Sequence, residues 1–313
     1  MLIPQAENAR YTSFAVGLVR RLKSLEIDPE TMLWHYTGGA GLLGILTTQS
    51  IYATQVSCLN DSSEIRYASF VFREALTRLE QKQVSGSPDA AFIATALKYF
   101  ADDPMSPNHV ALANFVACFS EIRDDLSHWR AYGGGENGYA IGFKAKYLSG
   151  VPNCLLARVT YYKQELNGHL IDEVAEATVR FFNEGLQKYG TGAEDQWTEE
   201  FLDKWDVAIT QVAPLIKQSA FSSERECRLS KGYTLNDLQE LRFLQKNTML
   251  TRHLPLRPQY TGQPDPYRLP ITEIIIGPCR HPHVSRISVG NLLQQKGYDT
   301  TIVKISEIPF QMT

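Results

Sequence analysis

Hydrophobic and polar positions follow two different periods along the chain, and together they predict both helices and strands. Apolar side chains recur at three- and four-residue steps in 14–25 and 65–79, which is typical of amphipathic helices. Shorter helical patterns lie at 41–46, 90–100, 235–245 and 288–296. Short apolar or aromatic runs predict strands at 32–37, 50–54, 114–120, 139–143, 224–229, 273–276 and 301–305.

The arrangement of these elements favours an α+β fold with a mixed β-sheet, because strands are scattered among helices without regular alternation. A polar loop with three glycines separates the strands at 114–120 and 139–143, and its Asn137-Gly138 pair predicts a hairpin there. From about 171 to 216 the pattern is helical throughout. We interpret this stretch, within 165–217, as a helical insertion.

Composition narrows the class of protein. The chain has 313 residues, of which 43% are hydrophobic and 21% charged, and this profile is that of a globular soluble protein. The net charge of −3 argues against nucleic-acid binding driven by bulk charge. Five dispersed cysteines indicate reduced thiols rather than a disulfide framework, and we find no signal peptide or apolar run of membrane-spanning length. We therefore expect a cytoplasmic protein with no membrane span.

Four polar clusters interrupt the apolar segments, and each has a structural as well as a functional interpretation. His35 and Thr37 share one face of the first strand, although a histidine there is more often a hydrogen-bonded structural residue. Asn60 lies in a turn that either caps the next helix or faces a cleft. The third cluster, 120–135, is either a small-molecule site or a surface loop.

The fourth cluster is the segment 223–229. If it is a strand, Glu224, Glu226 and Arg228 lie on one face. Adjacent carboxylates raise one another's pKa, and Arg228 together with Lys217 would offset this effect. Such a face is either solvated or a place for acid/base catalysis.

Several common catalytic patterns are missing from the sequence. It contains no GxGxxG, GxxxxGK[ST] or GxSxG motif. Cys279, His281 and His283 lie close together, but their spacing is not that of paired zinc ligands. We therefore expect no metal site.

The motifs LWHYT, GLLGIL, SIYAT, LNDSSE, FSEIRDDLSHWRAYG, GYAIGF, FSSERECRL and EIIIGP, taken in order, resemble the domain-of-unknown-function family 2971 over about residues 33–278. The segment LWHYTGGAGLLGILTTQSIYAT is similar, more distantly, to the first two strands of poly-ADP-ribose-polymerase-like ADP-ribosyltransferases. This second resemblance implies a split, mixed β-sheet core and NAD as the substrate. Because the motifs spread from His35 to Glu226, we expect a single domain over 1–313, with an N-terminal helix in 1–30 and the insertion at 165–217.

The same resemblance implies roles for individual residues. His35, through the adenosine-side ribose, and Thr37 would bind NAD, and Glu226 matches the glutamate that completes the catalytic set. Glu224 would orient or deprotonate the acceptor. Phe119 stands where a tyrosine is usual, so stacking on nicotinamide falls to Tyr132, Trp129 or Tyr52. The full set of expected NAD contacts is His35, Tyr36, Thr37, Tyr52, Asn60, Ser120, Ser127, Trp129 and Tyr132.

The expected activity is therefore NAD-dependent ADP-ribosyl transfer. Cleavage of the nicotinamide bond passes through an oxocarbenium-like state that a carboxylate stabilises. The resemblance implies an intracellular toxin or defence effector that modifies a protein or nucleic acid, with a neutralising antitoxin or regulatory protein as a further partner. The alternatives are an NAD glycohydrolase on the same fold and a catalytically silent ligand- or partner-binding module. The arginines that would form a local basic groove, if they are not simply solvated or ion-paired, are Arg66, Arg73, Arg123, Arg130, Arg225 and Arg228.

Overall fold

The computed structural model describes residues 8–22, 25–59, 63–84, 86–99, 114–133, 138–233, 235–246, 249–258 and 268–309. In chain order, the helices are α1 (Asn8–Arg21), α2 (Gly39–Thr48), α3 (Ser63–Glu80), α4 (Pro88–Tyr99), α5 (Leu126–Tyr132), α6 (Ala145–Ser149), α7 (Gln164–Gly185), α8 (Glu194–Val212) and α9 (Pro282–Gln295). The strands are β1 (Met32–Thr37), β2 (Ile51–Gln55), β3 (Asn114–Ser120), β4 (Tyr139–Lys144), β5 (Cys154–Arg158), β6 (Thr160–Tyr162), β7 (Ile216–Gln218), β8 (Glu226–Gly232), β9 (Arg242–Lys246), β10 (Met249–Leu256), β11 (Glu273–Ile276) and β12 (Ile302–Ile305).

The chain divides into two compact units, each built from separate stretches of sequence. One unit combines 1–26, 55–114 and 159–222, and the other combines 27–54, 115–158 and 223–313. The predicted helical insertion falls in the first unit together with α1, α3 and α4. The single domain expected from the sequence stays a prediction.

The first unit is a helical bundle with the two short parallel strands β6 and β7. Its core is aromatic, since Trp197, Phe201 and Trp205 on α8 are all buried and Phe92 of α4 stacks on Phe182 of α7. An ion pair of 2.6 Å between Arg78 and Asp172 joins α3 to α7. None of the helices in the described parts of the chain is long and apolar enough to cross a membrane.

The second unit contains a mixed sheet of ten strands among the described residues. Its main path runs β12-β11-β4-β1-β3-β2-β10-β9, while β8 pairs with both β3 and β5. β11 and β12 are parallel, whereas β1 is antiparallel to both β3 and β4. The α+β class and the mixed sheet predicted from the sequence are therefore confirmed.

The two faces of this sheet carry different side chains. A large apolar cluster contains Leu33 of β1, Phe119 of β3 and Cys227 of β8, and α2, α6 and α9 contribute to it. A smaller cluster contains Trp34 and Tyr36, which alternate with Leu33 along β1. The strand at 32–37 is thus buried on both faces, which explains its continuous apolar pattern.

Two predictions about local structure are wrong. β3 and β4 do not form a hairpin, because β1 lies between them in the sheet and α5 lies between them in the chain. The helix predicted at 235–245 is instead a short 3-10 turn, Leu235–Glu240, followed by β9, which pairs with β10. Phe243 and Leu244 in β9 are exposed, so no buried helical face supports a helix there.

Gly142 is required by the close packing of β1 against β4. It lies opposite Trp34, and a Cβ atom at Gly142 would be 2.7 Å from Trp34 Cζ3 and 2.7 Å from Met32 Cε. We expect Gly142→Ala to lower the free energy of unfolding by about 1–3 kcal/mol, as overpacking of a core does. Urea denaturation measures the change. Gly44→Ala in α2 is the matched control, since a Cβ there meets nothing within 4 Å and alanine favours the helix. Equal stability of both variants would contradict this packing.

Candidate functional site

His35 links β1 to β3 through its side chain. Its Nδ1 atom donates a hydrogen bond of 2.9 Å to the carbonyl oxygen of Cys118, and its ring lies 5.6 Å from that of Phe119. Because the carbonyl can only accept, the proton is on Nδ1 and the neutral ring presents Nε2 as an acceptor. Burial lowers the pKa of His35, against the opposite effect of the Cys118 hydrogen bond. His35 is therefore neutral at physiological pH.

Ser120 connects the end of β3 to the segment that precedes β8. Its hydroxyl donates to the carbonyl oxygen of Glu224 at 2.7 Å and accepts from the amide of Ile122 at 3.0 Å. The amide of Glu121 donates to the carbonyl oxygen of Arg225 at 3.1 Å. Ser120 is buried, so its hydroxyl fixes the backbone around Glu224.

Glu224 does not lie on the strand with Glu226, in contrast to the sequence prediction. It ends the 3-10 turn Ser219–Glu224, and β8 begins at Glu226. Arg225 between them has a φ of 43°, in the left-handed region that non-glycine residues rarely adopt. This backbone conformation breaks the alternation, so Glu224 does not share the strand face of Glu226 and Arg228.

Glu226 forms a buried, bidentate ion pair with Arg228. The guanidinium donates from Nε to Oε1 at 2.7 Å and from Nη2 to Oε2 at 3.0 Å. The Arg228 and Glu226 side chains are 2% and 9% exposed, respectively. Lys217 pairs with Glu64 at 3.1 Å. Arg228 thus holds the Glu226 carboxylate in a fixed orientation.

The candidate aromatic residues lie in different surroundings. Tyr132 is 39% exposed, and its hydroxyl donates to Glu224 Oε1 at 3.3 Å. Trp129 is buried and donates from Nε1 to Asp124 at 2.7 Å. Tyr52 lies on β2, beyond β3 in the sheet, with its ring 6.3 Å from that of His253. Of the three stacking candidates, Tyr132 combines exposure with a position beside Glu224.

Tyr36 is a structural residue of the smaller apolar cluster, which also contains Trp34. Its hydroxyl donates to the carbonyl oxygen of Ile122 at 2.9 Å, and its ring packs against His128 and Trp129. Burial raises the pKa of Tyr36, and the charges of Asp124 and Asp125 raise it further. The Tyr36 phenol therefore stays protonated at physiological pH and keeps its hydrogen bond to the carbonyl of Ile122.

Helix α5 places Tyr132 beside Glu224. It begins after Asp125, whose side chain accepts from the amide of His128 at 3.0 Å and from its Nδ1 at 2.9 Å. Burial opposes ionisation of Asp125, but these hydrogen bonds outweigh it and lower its pKa. Ser127 in the first turn is exposed.

The structure brings some predicted residues together and not others. His35 bonds to Cys118 of β3, Ser120 ends that strand, and both Ser120 and Tyr132 contact Glu224. His35 alternates with Trp34 on β1, and Glu226 alternates with Cys227 of the large cluster on β8. By this alternation the His35 side chain lies on the face of Leu33, and that of Glu226 points to the other face. Thr37 is the last residue of β1, and its side chain lies close to Gly41 of α2. Asn60 lies outside the described residues.

A cavity of about 500 Å³ that no sequence pattern predicts lies next to this site. Its lining includes Trp34, Glu121, Arg123, Arg158, Arg225 and Glu273. Two of the six arginines proposed to form a basic groove, Arg123 and Arg225, therefore do gather. Arg228 is buried with Glu226, Arg130 is exposed on α5, and Arg66 and Arg73 belong to the first unit. Glu121 and Arg158 carried no sequence signal, because nothing in their local pattern shows that β3 and β5 both end here.

A comparison with known protein families gives one match. Residues 128–229 match the family described as "Protein of unknown function (DUF2971)". The match covers about a third of the chain, from α5 to β8, and includes Tyr132, Glu224, Glu226 and Arg228 but not His35. No curated protein and no solved structure matches the chain.

The neutral state of His35 gives a pH-dependent contribution to stability. Its folded pKa is lower than the ordinary 6.5, so the unfolded chain takes up the proton first as the pH falls. The contribution of His35 to the free energy of unfolding is fully present above pH 6.5. It is lost as the pH falls from there toward the pKa of His35 in the folded protein. We expect His35→Asn, whose amide can replace Nδ1, to lose less stability than the wild type between about pH 8 and about pH 5.5. Urea midpoints at the two pH values measure this, and equal losses would contradict the assignment.

The buried ion pair gives a second stability prediction. Arg228→Met leaves the Glu226 carboxylate buried without this partner, and we expect a loss of about 3–5 kcal/mol in the free energy of unfolding. The double variant Arg228→Met/Glu226→Met removes both charges, and we expect it to be more stable than Arg228→Met alone. A double variant that is less stable than the single one would show that the two residues are not coupled in this way. Chemical denaturation of the three proteins provides the comparison.

Proposed function

We propose that the chain transfers ADP-ribose from NAD to a macromolecule, using an ADP-ribosyltransferase type of core. The observation that supports this proposal is that three segments far apart in the sequence are joined by hydrogen bonds in the structure. His35 bonds to Cys118 in β3, and Ser120 bonds to Glu224 just before β8. These are the segments that carry the histidine, the central motif and the glutamate in the resemblance to ADP-ribosyltransferases.

The donor set of these residues fits NAD. Neutral His35 presents Nε2 as an acceptor for a ribose hydroxyl, since its Nδ1 proton is given to Cys118. Tyr132 supplies an exposed aromatic ring for the nicotinamide. Glu224 is a half-buried carboxylate next to that ring. An aromatic ring beside a few placed polar groups is typical of a small-molecule site.

Each residue then has a distinct task. When bound, NAD supplies an ADP-ribosyl group whose bond to nicotinamide breaks as the bond to the acceptor forms. Glu224 is more exposed than Glu226. We therefore assign to Glu224 the contact with the substrates, and it accepts the proton that the acceptor nucleophile loses. Glu226, which is paired with Arg228 and lies on the opposite face of the sheet from His35, is a positioning residue that fixes the start of β8 next to Glu224.

A second candidate is a binding module without catalysis, and one observation favours it. The Ser120 hydroxyl, the His35 Nδ1 atom and both Glu226 oxygens are engaged inside the protein. In that case NAD binds without being consumed.

The decisive experiment incubates the purified protein with labelled NAD and with mixtures of proteins and nucleic acids as acceptors. Released nicotinamide and labelled acceptor are measured together. We expect Glu224→Gln to lower nicotinamide release by about 10²–10⁴-fold, the usual contribution of one general base. Glu226→Gln should also be impaired, while Glu240→Gln, at an exposed position, should not.

The alternatives predict different products. Free ADP-ribose without labelled acceptor would indicate an NAD glycohydrolase. NAD binding without nicotinamide release would indicate the silent module. The absence of both nicotinamide release and labelled product, for the wild type and for Glu226→Gln alike, would reject the transferase.

A further inference from the structure

The cavity beside the β1–β3 junction is lined by charged side chains with a positive surplus. Three arginines, Arg123, Arg158 and Arg225, face two glutamates, Glu121 and Glu273, so the charged lining residues carry a formal charge of +1. The chain as a whole carries −3, so this surplus is local. A cavity of this sign attracts anions.

Two poorly exposed carboxylates hold the guanidinium groups in place. Glu121 is 11% exposed and accepts from Arg158 at 2.6 Å and from Arg225 at 3.0 Å. Glu273 is 13% exposed and accepts from Arg123 at 2.6 Å, with Lys304 at 3.7 Å from the same oxygen. Each carboxylate is thus shared by two cations. The arginines are oriented before any ligand arrives, which reduces the entropic cost of binding.

The arginine side chains remain accessible from the cavity. Arg123, Arg158 and Arg225 are 39%, 36% and 60% exposed, respectively. A guanidinium has five N–H donors, and one contact to a carboxylate leaves donors of Arg123 and Arg225 for a ligand. Arg123 also lies over the ring of Trp34, 5.9 Å from its centroid, which limits its movement.

We propose that this cavity binds a small phosphate-bearing molecule. The planar guanidinium matches phosphate oxygens in a bidentate manner, and a phosphate group of charge about −1.5 to −2 can accept from several arginines at once. The volume of about 500 Å³ suits a small molecule rather than a polymer. The proposal does not depend on NAD turnover.

Inorganic pyrophosphate is the probe, measured by isothermal titration calorimetry on the full chain without NAD. We expect saturable binding with one site per chain. Arg123→Gln and Arg225→Gln, which alter two different segments, should each weaken binding by about tenfold or more, as loss of a charge-assisted contact does. Arg130→Gln, exposed on α5 and outside the cavity lining, is the matched control and should bind like the wild type.

Three results would overturn the proposal. These are an absence of saturable pyrophosphate binding to the wild type, equal weakening by Arg130→Gln, and equally tight binding of succinate, a dicarboxylate without phosphate. Circular dichroism of each variant confirms that it is folded. Because NAD is absent, failure here leaves the proposed transfer reaction standing, and failure of that reaction leaves this site standing.

Discussion

The second unit depends on a junction where side-chain hydrogen bonds reinforce the backbone pairing of β1, β3 and β8. β1 meets β3 at Trp34 opposite Ser120. From there His35 reaches the carbonyl of Cys118, and Ser120 reaches the carbonyl of Glu224. The candidate site lies where these three strands meet.

Electrostatic pairing determines which charged groups at this junction face solvent. Arg228 and Glu226 neutralise each other inside the protein, at the start of β8. Arg225, which precedes Glu226, has a left-handed backbone conformation. Its side chain pairs with Glu121 at the cavity. Glu224 turns toward Tyr132. Three consecutive charged residues thus have three different environments, and the near-neutral charge of the whole chain gives no indication of this.

Much of the fold could be predicted from local pattern. Buried strands such as Met32–Thr37 and Glu273–Ile276 are continuous apolar runs, and α7 and α8 have clear helical periods. Helix α5 was not predicted because its 7 residues are too few to show a helical period, although its cap at Asp125 is a local signal. The position of Glu224 outside β8 was not predictable either, since the conformation of Arg225 is imposed by the hydrogen bonds from Ser120 and Glu121. To predict that Arg158 pairs with Glu121, one needs the order of strands in the sheet, and no single segment of sequence reveals that order.

We propose that NAD binds at the junction of β1, β3 and β8. The most direct measurement is a crystal structure of the Glu226→Gln variant with NAD. We expect the nicotinamide end of NAD beside Tyr132 and Glu224, with a ribose hydroxyl within hydrogen-bonding distance of His35 Nε2. NAD bound away from His35 and Glu224, or no NAD bound at millimolar concentration, would contradict it.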